Sequence, residues 1–455
     1  MSINEMTNNT SPGSSEEGED VVSLGTINRF GLGASGSEQP LLSIKDWLAS
    51  QLQTTDKASF TGVGSCADAL IMLRTQRMNK MQGDPLIKPI FQAEVTTQLN
   101  NVLTSQQPFR ERLAWFWFNH FTVSLRQGST RGIVGAYMRE AIRPHITGRF
   151  VDMLVAVMQH PAMLMYLDNA SSIGPSSPVG KRYHRGLNEN LARECLELHT
   201  VSPAAGYTQA DVTSFAAILT GWTVDMKADR PGFAFQPGKH EPGEKTVMGQ
   251  TFPEGEVGGL QALHFLGTHP STYRHIATKL VTHFISDTPS PQDVSHVSGV
   301  LHDTGGDLTM ASVALADLPG AQRPPGKFRS PMDYATAVMR ALPLQDISTQ
   351  PDDPHSSSHT LFSAFAALGQ PLWTAPLPNG WSDLATDWAA PADMLARTDW
   401  AWRMAAHVRS EDPMDIAHAT LGPALRQSTV TAMRQAGARQ DALTLLFSSP
   451  EFQRR

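Results

Sequence analysis

The chain is poor in the residues that define several common classes of protein. It has only two cysteines, Cys66 and Cys195, in 455 residues, which excludes a disulfide-rich scaffold and a four-cysteine zinc site. Charged residues make up 17% of the chain and the formal net charge is −7. A broad basic surface for nucleic acid is therefore not expected. The apolar runs are far shorter than the roughly 20 residues that a membrane-spanning helix needs.

The first twenty residues also lack the features of a signal peptide. Residues 1–20 are rich in Ser, Asn, Thr, Glu and Gly and end in an acidic group. They contain neither a cationic start nor an apolar stretch, which a secretory signal requires. We interpret residues 1–20 as a disordered leader and predict a cytoplasmic location, with export alongside a partner as the alternative.

Helical periodicity dominates the rest of the chain, and the 40% of hydrophobic residues is enough for a sizeable core. The pattern predicts a mainly α-helical protein with a multi-helix, bundle-like core. A small β-hairpin or meander insertion is predicted near 222–252, where β-forming residues alternate among turn residues. We predict a main helical domain at 21–343, a polar Pro/Ser linker at 344–359, and a C-terminal helical part at 360–455 packed on the main domain.

The densest polar segment is 186–201, which reads GLNENLARECLELHTV. On a wheel of roughly 100° per residue, Glu194 lies on one shoulder of an apolar stripe that includes Leu198. His199 lies on the opposite shoulder, roughly 140° away, so one regular helix would not aim both at the same ion. We predict that the polar residues of this segment are catalytic candidates in a semi-buried cavity: Asn190, Glu194, Glu197 and His199.

The alternative for this segment is a polar network with a purely structural role. Structural networks also hold buried carboxylates. In either case Glu194 is expected to be at least half-buried and paired with an arginine, a histidine or a backbone N–H. Arg182 and Arg185, from the preceding basic loop, are the candidate arginines.

Two further segments carry candidate metal ligands. His120 lies in the strongly apolar run 108–125, where a buried neutral imidazole suits a metal ligand or a core histidine. The loop 239–251 places His240, Glu241 and Lys245 within six residues, a pattern that suits metal ligands, an acid/base pair or a solvated turn.

We predict a metal site of mixed His and carboxylate ligands drawn from separate segments, a set that favours Fe, Mn or Zn over softer metals. Lys245 is added to the catalytic candidates. The predicted metal ligands are His120, Glu194, His240 and Glu241.

Two other patterns are interpreted as structural. In the helix predicted at 270–285, His275, Lys279 and His283 follow at i, i+4 and i+8, which favours a solvated cationic face. The alternative is an anion site at the start of that helix. The loop 368–383 is rich in Pro, Gly and Trp, and its tryptophans either line a pocket or, as we prefer, anchor the loop.

Several segments occur together in an order typical of one family. They are WFNHF, NENLARECLELHT, HEPGEKTVMG, HPSTYRHIATKL, KFRSPMDY, LGQPLWTAPLPNGW and SSPEFQRR. The chain resembles, from about residue 23 to its end, the bacterial proteins grouped as domain of unknown function family 1800. The resemblance implies no established activity. It implies that many relatives are exported and that a sulfatase-like protein is a candidate partner.

The chain also departs from the pattern that this resemblance implies. It has Cys195 where the family usually has a leucine, Glu241 where an aspartate is usual, and Phe118 where a second histidine often precedes the Asn–His pair. These changes bear on the predicted metal site, although Glu241 keeps a carboxylate.

Two hypotheses about function remain open. One is a metal-dependent enzyme, a hydrolase or an oxidoreductase, with a His/carboxylate cavity where the 187–201 helix, the His120 helix and the 239–251 loop converge. The other is a noncatalytic scaffold or accessory protein in which these polar residues are structural. Convergence of the three segments in space discriminates between the two hypotheses.

Overall fold

The structure is a computed structural model that describes residues 24–36, 43–127, 130–342 and 356–455. The predicted leader and most of the predicted linker lie outside the described residues. None of the helices in the described ranges is long and apolar enough to cross a membrane. The helices are α1 (24–30), α2 (Ile44–Gln53), α3 (Cys66–Met78), α4 (Ile87–Thr104), α5 (Pro108–His120), α6 (Val134–Tyr137), α7 (Phe150–Gln159), α8 (Pro161–Tyr166), α9 (Pro178–Tyr183), α10 (Asn190–Glu194), α11 (Gln209–Leu219), α12 (Glu256–Gly267), α13 (Pro270–Phe284), α14 (Pro291–Asp303), α15 (Leu308–Ala314), α16 (Pro331–Ala341), α17 (Ser357–Ala367), α18 (Pro391–Ala405), α19 (Pro413–Leu421), α20 (Gln427–Gln435) and α21 (Arg439–Ser448).

Many helices begin where the sequence supplies a cap. At the start of α3 the Ser65 side chain accepts a hydrogen bond from the Asp68 N–H, and the Asp68 carboxylate accepts one from the Ser65 N–H. This reciprocal pair satisfies two N–H groups that have no partner inside the helix. Helices α5 and α13 begin with proline, whose missing N–H and fixed φ suit the first turn. Both begin at the residue that the sequence predicts.

The β insertion confirms the predicted fold class, which is mainly α with a small β element. It consists of two separate antiparallel pairs. Strand β1 (Trp222–Asp225) pairs with β2 (Gly232–Phe235), and β3 (Lys245–Val247) pairs with β4 (Gln250–Phe252). The first pair covers the core through Trp222, which is fully buried. The loop that contains His240 connects β2 to β3, the first strand of the second pair.

Apolar residues from most helices form one continuous hydrophobic core. Within it α4 packs against α17, α13 against α14, and α18 against α21. The end of the chain lies beside the segment that leads into α16, because the N–H of Lys327 donates to the carbonyl of Arg455 at 3.1 Å. Asn28 near the start of the described chain donates to the carbonyl of Thr420 at 2.9 Å. The proposed division at the linker stays a prediction.

Two helical segments adopt the wider π conformation. They are Met138–Ile142, which continues α6, and Cys195–His199, which continues α10. A π segment turns the chain by less per residue than an α-helix, so a wheel of roughly 100° per residue fails beyond Glu194. His199 is fully buried, whereas Leu198 of the predicted apolar stripe is only partly buried. The predicted angle between Glu194 and His199 is therefore wrong.

Candidate active site

The four predicted metal ligands do not form one cluster. Within the described part of the chain, no three of them bring a donor atom within 4.8 Å of one another. His120 contacts the 187–201 segment, whereas His240 and Glu241 make their polar contacts with other parts of the chain. The predicted convergence of three segments is therefore wrong for the 239–251 loop.

Glu194 lies in an open cleft of about 340 Å³ that it shares with Asn190 and Tyr166. Its carboxylate is partly buried, and no hydrogen bond or ion pair joins it to the described residues. The expected pairing with an arginine, a histidine or a backbone N–H is therefore wrong. Burial and the neighbouring Glu197 raise the pKa of Glu194. Asn190 is exposed and Glu197 is partly exposed.

His120 lies at the centre of a cluster of three histidines. Its Nε2 faces the carbonyl oxygen of His199 at 3.2 Å, as the sequence predicts for the 187–201 segment. The ring centroids of His199 and His275 each lie 6.0 Å from that of His120. Burial lowers the pKa of His120 well below its usual value and that of His199 to about 3. All three are therefore uncharged at neutral pH, and neither ring nitrogen of His199 has a hydrogen-bond partner.

The imidazole of His240 is fully engaged by its neighbours. Its Nδ1 lies 2.8 Å from the carbonyl oxygen of Thr220, and its Nε2 accepts from the N–H of Gly255 at 3.0 Å. Lys245, also buried, lies 3.1 Å from the same Nε2 and donates to the carbonyl of Glu241. The Glu241 carboxylate accepts from the N–H of Ser176 at 2.8 Å. With the Nδ1 proton donated to a carbonyl and the Nε2 lone pair occupied, His240 holds the loop in place together with Lys245.

A more complete set of chemical groups surrounds a cavity of about 80 Å³, which has room for about half a dozen waters. The cavity lies between α5, the end of α13, the start of α16 and the loop 370–383. Aromatic and aliphatic side chains make up most of its wall. Its polar members include His283, Asp383, Arg112, Asp333 and Asn119.

His283 and Asp383 form a hydrogen-bonded pair at this cavity. The His283 Nδ1 lies 2.6 Å from a carboxylate oxygen of Asp383, and the two side chains are 13% and 20% exposed. The other ring nitrogen, Nε2, is buried and has no hydrogen-bond partner. Burial lowers the pKa of His283, and Asp383 opposes this shift only in part. The ring is therefore neutral at pH 7, with the Nδ1 proton donated to the Asp383 carboxylate and the Nε2 lone pair free.

Asp383 remains ionised despite its surroundings. Burial alone would raise its pKa, but His283, Arg455 and Lys327 together lower the pKa of Asp383 to about 2. The Nζ of Lys327 donates to the backbone carbonyl of Asp383 at 2.6 Å and also pairs with Asp287. An ionised carboxylate fixes the tautomer and orientation of its histidine, which is the arrangement that a general base needs.

A buried ion group forms the floor of the cavity. Asp333 accepts from Arg112 at 2.8 Å and lies 2.8 Å from the Nε of Arg455, and each of these side chains is less than a tenth exposed. Burial opposes ionisation of Asp333, but Arg112 and Arg455 hold its pKa well below the usual range. The Nη2 of Arg112 makes no hydrogen bond within the described residues. Arg112 is one of the residues that line the cavity, and its Nη2 is not used by these bonds.

The loop 370–383 is fastened over the cavity by Asn119. The Asn119 amide donates to the carbonyl of Trp381 at 2.8 Å and accepts from its N–H at 2.7 Å. Gly380 has a φ of +77°, and a Cβ there would lie 2.4 Å from the Asn119 carbonyl oxygen, so only glycine fits. Trp373 has a φ of +56°, a costly conformation for a bulky residue that the surroundings must impose. Both tryptophans line the cavity as well as anchoring the loop.

The sequence carried only a partial signal for this site. The i, i+4, i+8 spacing of His275, Lys279 and His283 showed that they share a face of α13, but the prediction of a solvated face is wrong. That face packs on α5, where the ring centroid of His283 lies 5.2 Å from that of Phe116. Asp383 is 100 residues away in sequence, so no spacing rule links the two partners.

Comparison with known proteins gives a family but no activity. The sequence profile of the family described as protein of unknown function (DUF1800) matches residues 26–454, nearly the whole chain. No curated protein and no solved structure matches the chain. The fold and the site define a class of helical protein with a largely shielded His–Asp pair at an aromatic cavity. Within that class, the chain belongs to the DUF1800 family.

Proposed function

We propose that the protein is an enzyme in which His283 acts as a general base within the cavity. The observation that carries the proposal is the free Nε2 of an imidazole whose Nδ1 is held by the Asp383 carboxylate at 2.6 Å. A neutral histidine with a fixed tautomer accepts a proton from a water or hydroxyl and returns it to a leaving group. The predicted catalytic and metal residues at Glu194 and His240 have no part in this proposal.

The walls of the cavity favour a small and largely apolar substrate group. Trp115, Phe116, Trp373 and Trp381 supply the apolar surface. Arg112 supplies a positive donor for a carbonyl or carboxylate oxygen. Ester hydrolysis fits this set of groups. Water attacks the carbonyl carbon as His283 Nε2 takes its proton, and the same proton then goes to the departing alkoxide.

The test is turnover of a series of p-nitrophenyl esters with acyl chains of increasing length. The wild type is expected to hydrolyse the short members, and His283→Gln to lose about 10²–10⁴-fold in kcat. The chain offers a matched control in His302→Gln. His302 lies 3.3 Å from Asp303, but this pair is 70% and 81% exposed, so its loss should leave turnover unchanged.

The pH profile gives a second readout. Because burial lowers the pKa of His283, kcat/KM should fall only below pH 6.5, the ordinary value for histidine. Circular dichroism would establish that His283→Gln is folded. Absence of turnover by the wild type across the ester series, or full activity of folded His283→Gln, would overturn the proposal. Either result would favour the hypothesis of a noncatalytic scaffold over that of an enzyme.

A further inference from the structure

We infer that Cys66, Glu140 and His160 form a site for a divalent cation of the zinc type, separate from the His283 cavity. Each residue offers one ligand atom, and these atoms all lie within 4.8 Å of one another. Among the residues that the structure describes, no other group of three His, Cys, Asp or Glu side chains has ligand atoms this close together. Thiolate, imidazole and carboxylate are the three ligand types that zinc accepts.

The geometry of His160 supplies independent support. Its Nε2 is buried, makes no hydrogen bond of normal geometry, and lies 3.5 Å from the Oε2 of Glu140. That separation is long for a hydrogen bond. It is close to the roughly 3.3 Å between two ligand atoms that sit about 2.0 Å from a tetrahedral zinc ion. A cation between the two residues would replace this long contact by two coordinate bonds.

Three elements of the fold meet at the site. Cys66 is the first residue of α3, Glu140 lies in the π segment Met138–Ile142, and His160 caps the start of α8. The second carboxylate oxygen of Glu140 accepts from the N–H of Cys66 at 2.8 Å, which holds two of the ligands side by side. The Glu140 side chain is 36% exposed, so an ion can enter from that side.

Binding requires two changes in protonation. The Cys66 thiol, whose pKa burial raises in the metal-free protein, must release its proton to solvent as the sulfur–metal bond forms. The His160 Nδ1 accepts from the N–H of Ala162 at 3.1 Å, so the ring proton must move from Nε2 to Nδ1. The proton shift removes the hydrogen bond from the Ala162 N–H to Nδ1. Three coordinate bonds to the metal offset this loss. A water completes the tetrahedron, because three protein ligands leave one position open.

Cobalt(II) is a direct probe, because a cobalt–thiolate bond gives a charge-transfer band in the near ultraviolet. We expect metal-stripped, full-length protein to develop this band with one equivalent of cobalt(II), and zinc to displace it. Cys66→Ser should abolish the band. Cys195→Ser is the matched control, because Cys195 is the other cysteine of the chain and is also buried; the band should survive there.

The remaining ligands are tested by affinity. Glu140→Gln and His160→Asn should each weaken cobalt binding at least tenfold, with circular dichroism establishing that they are folded. His283→Gln should bind cobalt like the wild type, which separates this site from the proposed catalytic one. No band in the wild type, or a band that persists in folded Cys66→Ser, would overturn the inference.

Discussion

His240 and His283 are both largely shielded from solvent, but their hydrogen bonding differs. The Nδ1 of His240 donates to a backbone carbonyl, and its Nε2 accepts from a backbone N–H and lies beside a lysine. The Nδ1 of His283 donates to the Asp383 carboxylate, and its Nε2 has no hydrogen-bond partner. Burial lowers the pKa of both rings. A buried imidazole therefore reveals little until both of its nitrogens have been accounted for, because only a free lone pair can move a proton.

The largest expected effect comes from the carboxylate that orients His283. Asp383→Asn should keep the fold but lower kcat for the ester substrates by about 10²–10⁴-fold, since an amide no longer stabilises the protonated imidazole. KM should change little, because Asp383 acts through His283. Steady-state kinetics beside a thermal melt checks this. A rise in KM with kcat intact would show that Asp383 shapes the cavity without positioning the base.

The next effect tests whether the ion group under the cavity is structural. Asp333→Ala leaves Arg112 and Arg455 buried without their shared carboxylate, so the free energy of unfolding should fall by about 3–5 kcal/mol. Urea denaturation measures it. Asp303→Ala, which removes a carboxylate that is 81% exposed, should change stability by no more than about 0.5 kcal/mol. Equal effects of the two substitutions would contradict the assignment.

His240 should behave as the opposite of His283. His240→Ala leaves the Thr220 carbonyl and the Gly255 N–H without their partners, so the free energy of unfolding should fall by about 1–3 kcal/mol. Ester turnover by the folded variant should be unchanged. Equilibrium denaturation followed by kinetics below the unfolding midpoint separates the two effects. Loss of turnover without loss of stability would place His240 in the active site after all.

His199 is a buried imidazole with no hydrogen-bond partner at either nitrogen. Burial lowers its pKa to about 3 in the folded protein, below the ordinary 6.5 of the unfolded chain. The unfolded state therefore binds the proton first, and stability is lost as pH falls through the window from 6.5 to about 3. His199 alone should contribute about 1.4 kcal/mol per pH unit.

Urea denaturation at pH 7, 6 and 5 checks this slope. His199→Leu should flatten the slope relative to the wild type, since it removes one of the titrating groups. A wild-type stability that does not change between pH 6.5 and 5 would show that His199 is not held in its neutral form by burial.

The smallest expected effect is at Glu194. Its carboxylate has no partner within the described residues and lies near Glu197, which helps to raise its pKa. Glu194→Gln removes this unfavourable charge and should raise stability slightly, within about 0.5 kcal/mol, with ester turnover unchanged. Differential scanning calorimetry and the ester assay check the two parts. A large loss of turnover would show that Glu194 takes part in catalysis.

Local signals in the sequence were sufficient for the class of the fold and for one part of the histidine cluster. Proline marks the starts of α5 and α13, because it lacks the N–H group that a first turn leaves without a partner. The apolar surroundings of His120 predicted burial, and its contact with the 187–201 segment followed. The β insertion was predicted from alternation, although as one element where the structure has two pairs.

A helical wheel gives the wrong orientation for His199 in 187–201 for a physical reason. It assumes one angle per residue, and the π segment Cys195–His199 changes that angle partway along the helix. A π turn replaces the usual i→i−4 hydrogen bonds by wider ones, and its place is set by packing around the segment. The buried face therefore shifts, and a fully buried His199 results.

The sequence by itself determined the helical class, the starts of α5 and α13, the small β insertion and the absence of a cysteine-rich scaffold, since each depends on residues close together in the chain. Only the tertiary structure decided which buried histidine has a free nitrogen. His283 meets Asp383 across 100 residues, and Cys66 meets Glu140 across 74. Such pairings depend on how whole helices pack, because a side chain's partners are chosen by the elements that surround it and not by its neighbours in sequence.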